Sequence, residues 1–163
     1  MSRTTALLGS ALFLVLAPGT IACLVPWLIV QWPAPIAHPA LATVGVLLLA
    51  IGAALLIDCF TRFAVQGRGT PAPIASPRRL IMTGAYRRVR NPIYVAVVAL
   101  ILGQAALFAS FPVLIYGLVM WAGFHAFVLG YEEPTLRRRF PLDYAAFTAA
   151  VPRWIPRLTP WRG

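Results

Sequence analysis

The sequence predicts an all-α polytopic membrane protein, with about four transmembrane helices, short interfacial helices and a polar pocket open to the cytoplasm. Three observations carry that reading. Hydrophobic residues fill 60% of the 163 positions and charged residues only 11%, with a mean hydropathy of +0.80. A soluble domain carries about 25% charged residues, so there is too little polar surface here to cover a water-facing globule. The apolar residues gather into runs of bilayer-spanning length, and the charges gather between them on alternate connections.

The first run, residues 5–30, exceeds the roughly 20 residues that cross a hydrocarbon core. Pro18, Gly19 and Pro26 interrupt it, which a membrane helix tolerates where neighbours satisfy the freed carbonyls. Arg3 ahead of an apolar run also resembles a secretion signal, but no polar domain follows, and the run is read as a retained span. Residues 31–40 are a proline-rich loop with a surface histidine, His38, and with Trp27 and Trp32 suited to an interface. The second run, 41–60, carries Gly45 and Gly52, which permit close helix contact. Asp58 lies near its end, placed to pair with Arg62 or to line a site. Residues 1–60 thus make an N-terminal pair of spans. Cys23 and Cys59 lie in apolar segments without metal-ligand spacing and read as small buried hydrophobes.

Residues 61–91 form a polar connection along the membrane surface. Its GRGTPAP stretch lacks phosphate-loop spacing, and residues 78–90 suit a short interfacial element. Asn91 followed by Pro92 reads as a helix start, with asparagine capping free N–H groups and proline at a position that needs no donor. The third run, 92–108, has 17 residues, the low end for a span. It turns at 109–112 into a fourth run ending near Gly130, an antiparallel hairpin. The tail, 131–163, holds a short amphipathic helix around 142–150, with Trp154 and Trp161 beside arginines as interface anchors. Residues 92–163 form the C-terminal unit.

Arg3, the 61–91 connection and the tail hold 1, 7 and 6 of the 14 arginines, and the other two connections hold none. This positive-inside pattern predicts an integral protein of a bacterial inner membrane with both termini cytoplasmic. The net charge of +10, with no lysine and only 4 acidic residues, would suggest nucleic acid on a polar domain. Here the arginines alternate with membrane runs, so nucleic acid is set aside in favour of anionic lipid headgroups or an anionic small molecule at the membrane surface. No internal repeat or mid-span arginine points to a transporter or voltage sensor.

The cytoplasmic stretches bring Tyr86, Arg87, Arg88, Arg90, Asn91 and Tyr94 towards His125, Glu132, Glu133, the Arg137 to Arg139 run and Tyr144. If the fourth helix runs regularly through Glu133, His125 and Glu132 are seven residues apart and share a face, with Trp121 one turn back. An ionisable residue within a span is a functional candidate; the plainer alternative is a neutral histidine bonded to a neighbouring helix. Glu132 and Glu133 are half of the acidic residues. Either one pairs locally with Arg137, or a pairing between distant helices fixes the mouth of a pocket, where guanidinium groups bind carboxylates in pairs. No nucleophilic triad is present. Ser76 and Ser110 read as caps, and no metal is expected, His125, Glu132 and Glu133 being the one set that resembles ligands.

The pattern Gly84-x-Tyr86-Arg87-x-x-Arg90-Asn91-Pro92-x-Tyr94 resembles the signature of the isoprenylcysteine carboxyl methyltransferase and phospholipid methyltransferase group. The resemblance continues through His125, Glu132, Glu133, Leu136, Phe140, Tyr144, Phe147, Val151, Pro152 and Arg153, so that it covers residues 78–157. It implies an integral membrane enzyme that binds S-adenosylmethionine in a cytoplasmic pocket and takes a lipophilic carboxylate or amine from the bilayer. By position it implies cofactor contacts from Tyr86, Asn91, Pro92, Tyr94, His125, Glu132 and Tyr144. It implies action on the acceptor or the polar end of the site by Arg90, Glu132, Glu133 and Arg153. Asn91 stands where prenylcysteine enzymes have histidine, Ala96 where glycine is frequent and Pro141 where glycine is usual, which turns the acceptor away from prenylcysteine. The rival readings are a nicotinamide-dependent membrane reductase of related architecture and a non-enzymatic membrane scaffold. The oligomeric state is left open, since Gly103, Gly117 and Gly123 suit packing within one chain or between two.

Overall fold

The computed structural model describes residues 3–31, 36–62, 65 and 80–162, and among these every regular element is helical. Helix α1 (Arg3–Leu14) continues through a wider-wound stretch, Val15–Leu24, into α2 (Val25–Val30). Helix α3 spans Pro39–Arg62. After a single 3₁₀ turn, Gly84–Arg87, come α4 (Pro92–Leu107) and α5 (Phe111–Phe127). A wide turn, Val128–Glu132, then leads without a break into α6 (Glu133–Arg139), and α7 (Pro141–Ala150) precedes an irregular tail. Gly67, Gly69, Arg78, Ser76 and Trp32 lie outside the described residues.

Three of these helical stretches, Ala11–Val30, Pro39–Arg62 and Phe111–Arg139, are long and apolar enough to cross a membrane. The expected fourth, Pro92–Leu107, is apolar but has 16 residues and falls short of that length. The last span, expected to end near Gly130, runs on to Arg139 because the wide turn keeps the helix going into the polar stretch. Leucine, isoleucine and valine side chains along the three long stretches face outward, as with Leu12, Val46, Ile57 and Val119. In water this surface would be a large exposed apolar patch; facing lipid it is the ordinary exterior.

Helices α3 and α4 pack antiparallel, and glycine sets their spacing. A Cβ on Gly45 would come within 2.7 Å of the Gly103 carbonyl, and one on Gly52 within 3.0 Å of the Ala96 carbonyl. Gly117 of α5 likewise faces Ile101 and Leu102, whereas nothing lies within 4 Å of the position a Gly123 Cβ would take. Gly103 and Gly117 therefore pack within the chain. The core between these helices is Leu56, Phe60, Val97, Ile101 and Val113, with Ala22 of the wide stretch against it.

The prolines of the first span widen the helix more than they break it. Pro26 has no N–H for the carbonyls four and five residues back. The Ala22 oxygen instead accepts from Gln104 Nε2 at 2.6 Å and the Ile21 oxygen from the Tyr116 hydroxyl at 3.0 Å. Neighbouring helices thus supply the satisfaction that lipid cannot. Cys59 is buried as expected, but Cys23 is exposed, because it sits on the outer face of the wide stretch. His38 is exposed, in keeping with its reading as a surface residue.

Candidate active site

Three segments distant in sequence converge at the arginine-bearing end of the bundle. They are residues 80–91, the wide turn with α6, and α7 with its tail. The first is shaped by Gly84, which adopts φ +57 and packs against the Arg62 guanidinium where any Cβ would collide. Arg62 is held in turn by Asp58, its Nε donating to the two carboxylate oxygens at 3.0 and 2.8 Å. Asp58 is thus an ion-pair partner of its own helix. Just beyond Gly84, Tyr86 is buried against Ile81, Tyr144, Phe147 and Val151.

The tail lies alongside the 87–91 segment and is bonded to it repeatedly. The Arg90 N–H donates to the Pro152 carbonyl, the Arg157 N–H to Arg88 and the Trp161 N–H to Arg87, at 2.9, 2.9 and 2.8 Å. Side chains add to this pairing, with Arg87 donating to the Trp161 carbonyl and Arg88 to the Leu158 carbonyl. Trp161 also packs its ring 5.8 Å from that of Phe147. Trp154 and Trp161, expected as interface anchors, are half-buried and make contacts within the chain.

The two adjacent glutamates differ. Glu133 is buried, and its Oε1 accepts from Arg90 Nη1 at 3.0 Å and from Arg153 Nε at 2.6 Å, while Oε2 accepts from Arg153 Nη2 at 3.1 Å. The bond to Glu133 pushes the Arg153 guanidinium pKa up. This is pairing between distant segments, and the local pairing with Arg137 is not what forms. Glu132 accepts from the Tyr94 hydroxyl at 2.8 Å, and among the described residues no arginine pairs with it. Arg90 Nε is buried with no hydrogen-bond partner among the described residues.

Pro92 occupies the first turn of α4 as expected, but Asn91 makes no side-chain capping bond. Its Nδ2 donates instead to the Arg153 carbonyl at 3.2 Å, because the tail arrives at the place the cap would have filled. Tyr86 and Tyr144 are both buried, and burial pushes both phenol pKa values up, so they remain protonated donors.

A cavity of about 340 Å³ opens among these groups. That falls within the range of small-molecule sites, about 300–1,000 Å³. Tyr86, Arg90, Asn91, Tyr94, Glu132, Glu133 and Tyr144 all line it. Phe13, Ala17 and Ile21 from the first span form an apolar wall, and Phe124 and Phe127 from α5 add to it. His125 does not line the cavity. The wide turn Val128–Glu132 lies between it and Glu133, so regular spacing no longer brings His125 and Glu132 to one face. His125 Nδ1 accepts from the Trp154 indole N–H at 2.9 Å, and its ring stacks on Trp121 at 5.5 Å.

A profile of the phospholipid methyltransferase family matches residues 40–143. The chain belongs to that family. Membership carries methyl transfer from S-adenosylmethionine to a membrane-associated substrate. No curated protein matches the chain. The stretch matching the phospholipid methyltransferase family contains Tyr86 to Tyr94 and Glu132 with Glu133, and stops just before Tyr144 and the tail.

Sequence reasoning missed the contribution of the first span to the cavity. Phe13, Ala17 and Ile21 recur every fourth residue, which is the spacing of one helix face, but the run is apolar all round and nothing in it marks that face. Phe124 and Phe127 were hidden in the same way. Among the described residues no group of three potential metal ligands occurs.

Proposed function

We propose that this protein transfers the methyl group of S-adenosylmethionine to a lipophilic acceptor, a carboxylate or an amine, drawn from the bilayer. The reaction is of the isoprenylcysteine carboxyl methyltransferase type, with the cofactor pocket facing the cytoplasm. The observation that supports it best is the make-up of the 340 Å³ cavity. A carboxylate with no arginine on it among the described residues, buried phenols and a largely buried guanidinium share that space with an apolar wall from a membrane-spanning helix.

The residues present suit the cofactor's charges. Among the described residues Glu132 is a carboxylate without a cationic partner, fitting a sulfonium or an ammonium. Arg90 has a buried, unpartnered Nε, fitting a carboxylate. The rings of Tyr86, Tyr94 and Phe124 offer π-faces to a cation. Tyr86, Asn91, Tyr94, Glu132 and Tyr144 would hold the cofactor, with Pro92 fixing the backbone that carries them. When bound, S-adenosylmethionine supplies a methyl carbon already activated by its sulfonium.

The protein's own work is then alignment and exclusion of water. Arg90 and Arg153, held on Glu133, present a basic edge that orients the polar end of the acceptor, and the wall of Phe13, Ala17 and Ile21 takes its apolar part. A carboxylate acceptor needs no base. An amine acceptor must lose a proton, and Glu132, hydrogen-bonded to Tyr94, is placed to take it.

Calorimetric titration of S-adenosylmethionine into the detergent-purified protein tests the proposal. Saturable one-to-one binding is expected, weakened at least about tenfold in Glu132→Gln, the loss of a charge-assisted contact. Folded protein that shows no saturation into the millimolar range, or that binds a nicotinamide dinucleotide instead, overturns it.

A further inference from the structure

We propose that His125 is a positioning residue. Through Trp154 it holds the tail in place, and so sets Arg153 against Glu133 and Asn91, two residues that line the cavity. The proposal rests on the cavity being the cofactor site, but the latch itself is independent of that.

His125 is the one histidine on a spanning helix. Its Nδ1 accepts from the Trp154 indole N–H at 2.9 Å, and its ring lies 5.7 Å from that of Trp154 and 5.5 Å from that of Trp121. An indole N–H is a donor only, so this acceptor decides where Trp154 settles. The adjacent residue, Arg153, clamps Glu133 with two nitrogens and accepts from Asn91 through its carbonyl. One residue earlier, the Pro152 carbonyl accepts the Arg90 N–H. The tail after Ala150 has no regular helix. Its course at this point is therefore fixed by backbone and side-chain contacts with other segments, and each ordered residue costs conformational entropy that such contacts must offset. Beyond Trp154 the Ile155 and Leu158 side chains are largely exposed, and the tail is tied to the 87–88 segment by the Arg157 and Trp161 amides and the Leu158 and Trp161 carbonyls. Trp154 on His125 is thus the fastening, next to Arg153, that ties this tail to the spanning helix α5.

The test uses His125→Ala, His125→Asn and Trp154→Phe in the full chain. Asparagine places its Oδ1 near the position of imidazole Nδ1 and keeps the acceptor. In His125→Ala and Trp154→Phe, the KM for S-adenosylmethionine should rise about five- to tenfold, the size of one neutral hydrogen bond. The kcat should change less than about twofold, the mark of lost binding without loss at the reacting atoms. His125→Asn should restore most of the affinity. In ligand-free protein, hydrogen exchange in peptides covering 88–92, which include the Arg90 amide, should quicken in His125→Ala and return in His125→Asn.

Unchanged exchange in His125→Ala overturns the latch whatever the cofactor does. A loss of kcat at constant KM, or an asparagine variant no better than alanine, also overturns it. If the wild-type protein binds no S-adenosylmethionine, the functional proposal fails, and the exchange measurement still decides the latch.

Discussion

Glu132 and Glu133 leave the same helix one residue apart and end in opposite surroundings. Glu133 sits between two guanidinium groups from segments 43 and 20 residues away. Removing it leaves Arg90 and Arg153 facing each other without their counter-charge. Breaking one partner of a buried ion pair costs about 3–5 kcal/mol; because Arg153 is partly exposed, Glu133→Ala should cost about 3 kcal/mol, read as a lowered thermal midpoint in detergent. Arg153→Ala in the same background should add little, since the two act through one contact. Both acidic residues and most of the arginines were visible in the sequence as a group. Which glutamate took the arginines was not, because the answer depends on where a tail with no helical period comes to lie. Asn91 shows the same limit. Its position before Pro92 marked the helix start, but its side chain serves Arg153, 62 residues on.

Helices here are shaped by residues that lack a donor or a side chain. Pro26 lacks the N–H that a carbonyl one turn back would take, and Gln104 and Tyr116 donate to the carbonyls of Ala22 and Ile21 there. Tyr116→Phe keeps the ring and removes only the donor, so it should cost about 1 kcal/mol, in the range of inter-helical hydrogen bonds in membranes. A thermal melt against wild type checks this. Glycine gives a sharper contrast. Gly45→Val forces a side chain into the Gly103 carbonyl and should cost about 1–3 kcal/mol by overpacking. Gly123→Ala meets open space and should be neutral or stabilising by up to about 1 kcal/mol, since alanine is the better helix former. The glycines that pack were partly legible, as Gly45 and Gly52 proved to be contact points. The wide turn ahead of α6 was not foreseen, and it is what separates His125 from Glu132. Pro134 was its signal: a proline in the first turn of α6 cannot pair with the carbonyls behind it, and the helix opens there.

At the scale of the molecule, composition and charge were the readable part. The apolar runs became helices close to the places expected, and the arginines lie on connections and ends, because both depend on local hydropathy alone. The convergence of the 80–91 segment, α6 and the tail depends on contacts across tens of residues, which no period in the sequence records. The same charge pattern predicts that both termini lie on the cytoplasmic side. Protease or thiol-reactive probes confined to the opposite face should leave a tag at either end untouched, and cleavage of either tag from that face would reverse the orientation.

Helix α4 has one consequence for how the protein sits in its solvent. Its 16 residues rise about 24 Å, against a hydrocarbon thickness of about 30 Å. It is walled by α3, α5 and the first span, so lipid does not have to thin around it. The shortfall appears instead as depth. The residues at its arginine-bearing end, Asn91 and Arg90 with Glu133, are expected to sit a few ångströms deeper than the ends of the longer spans. On the proposed function, a lipophilic acceptor would then meet polar groups without first rising out of its own leaflet.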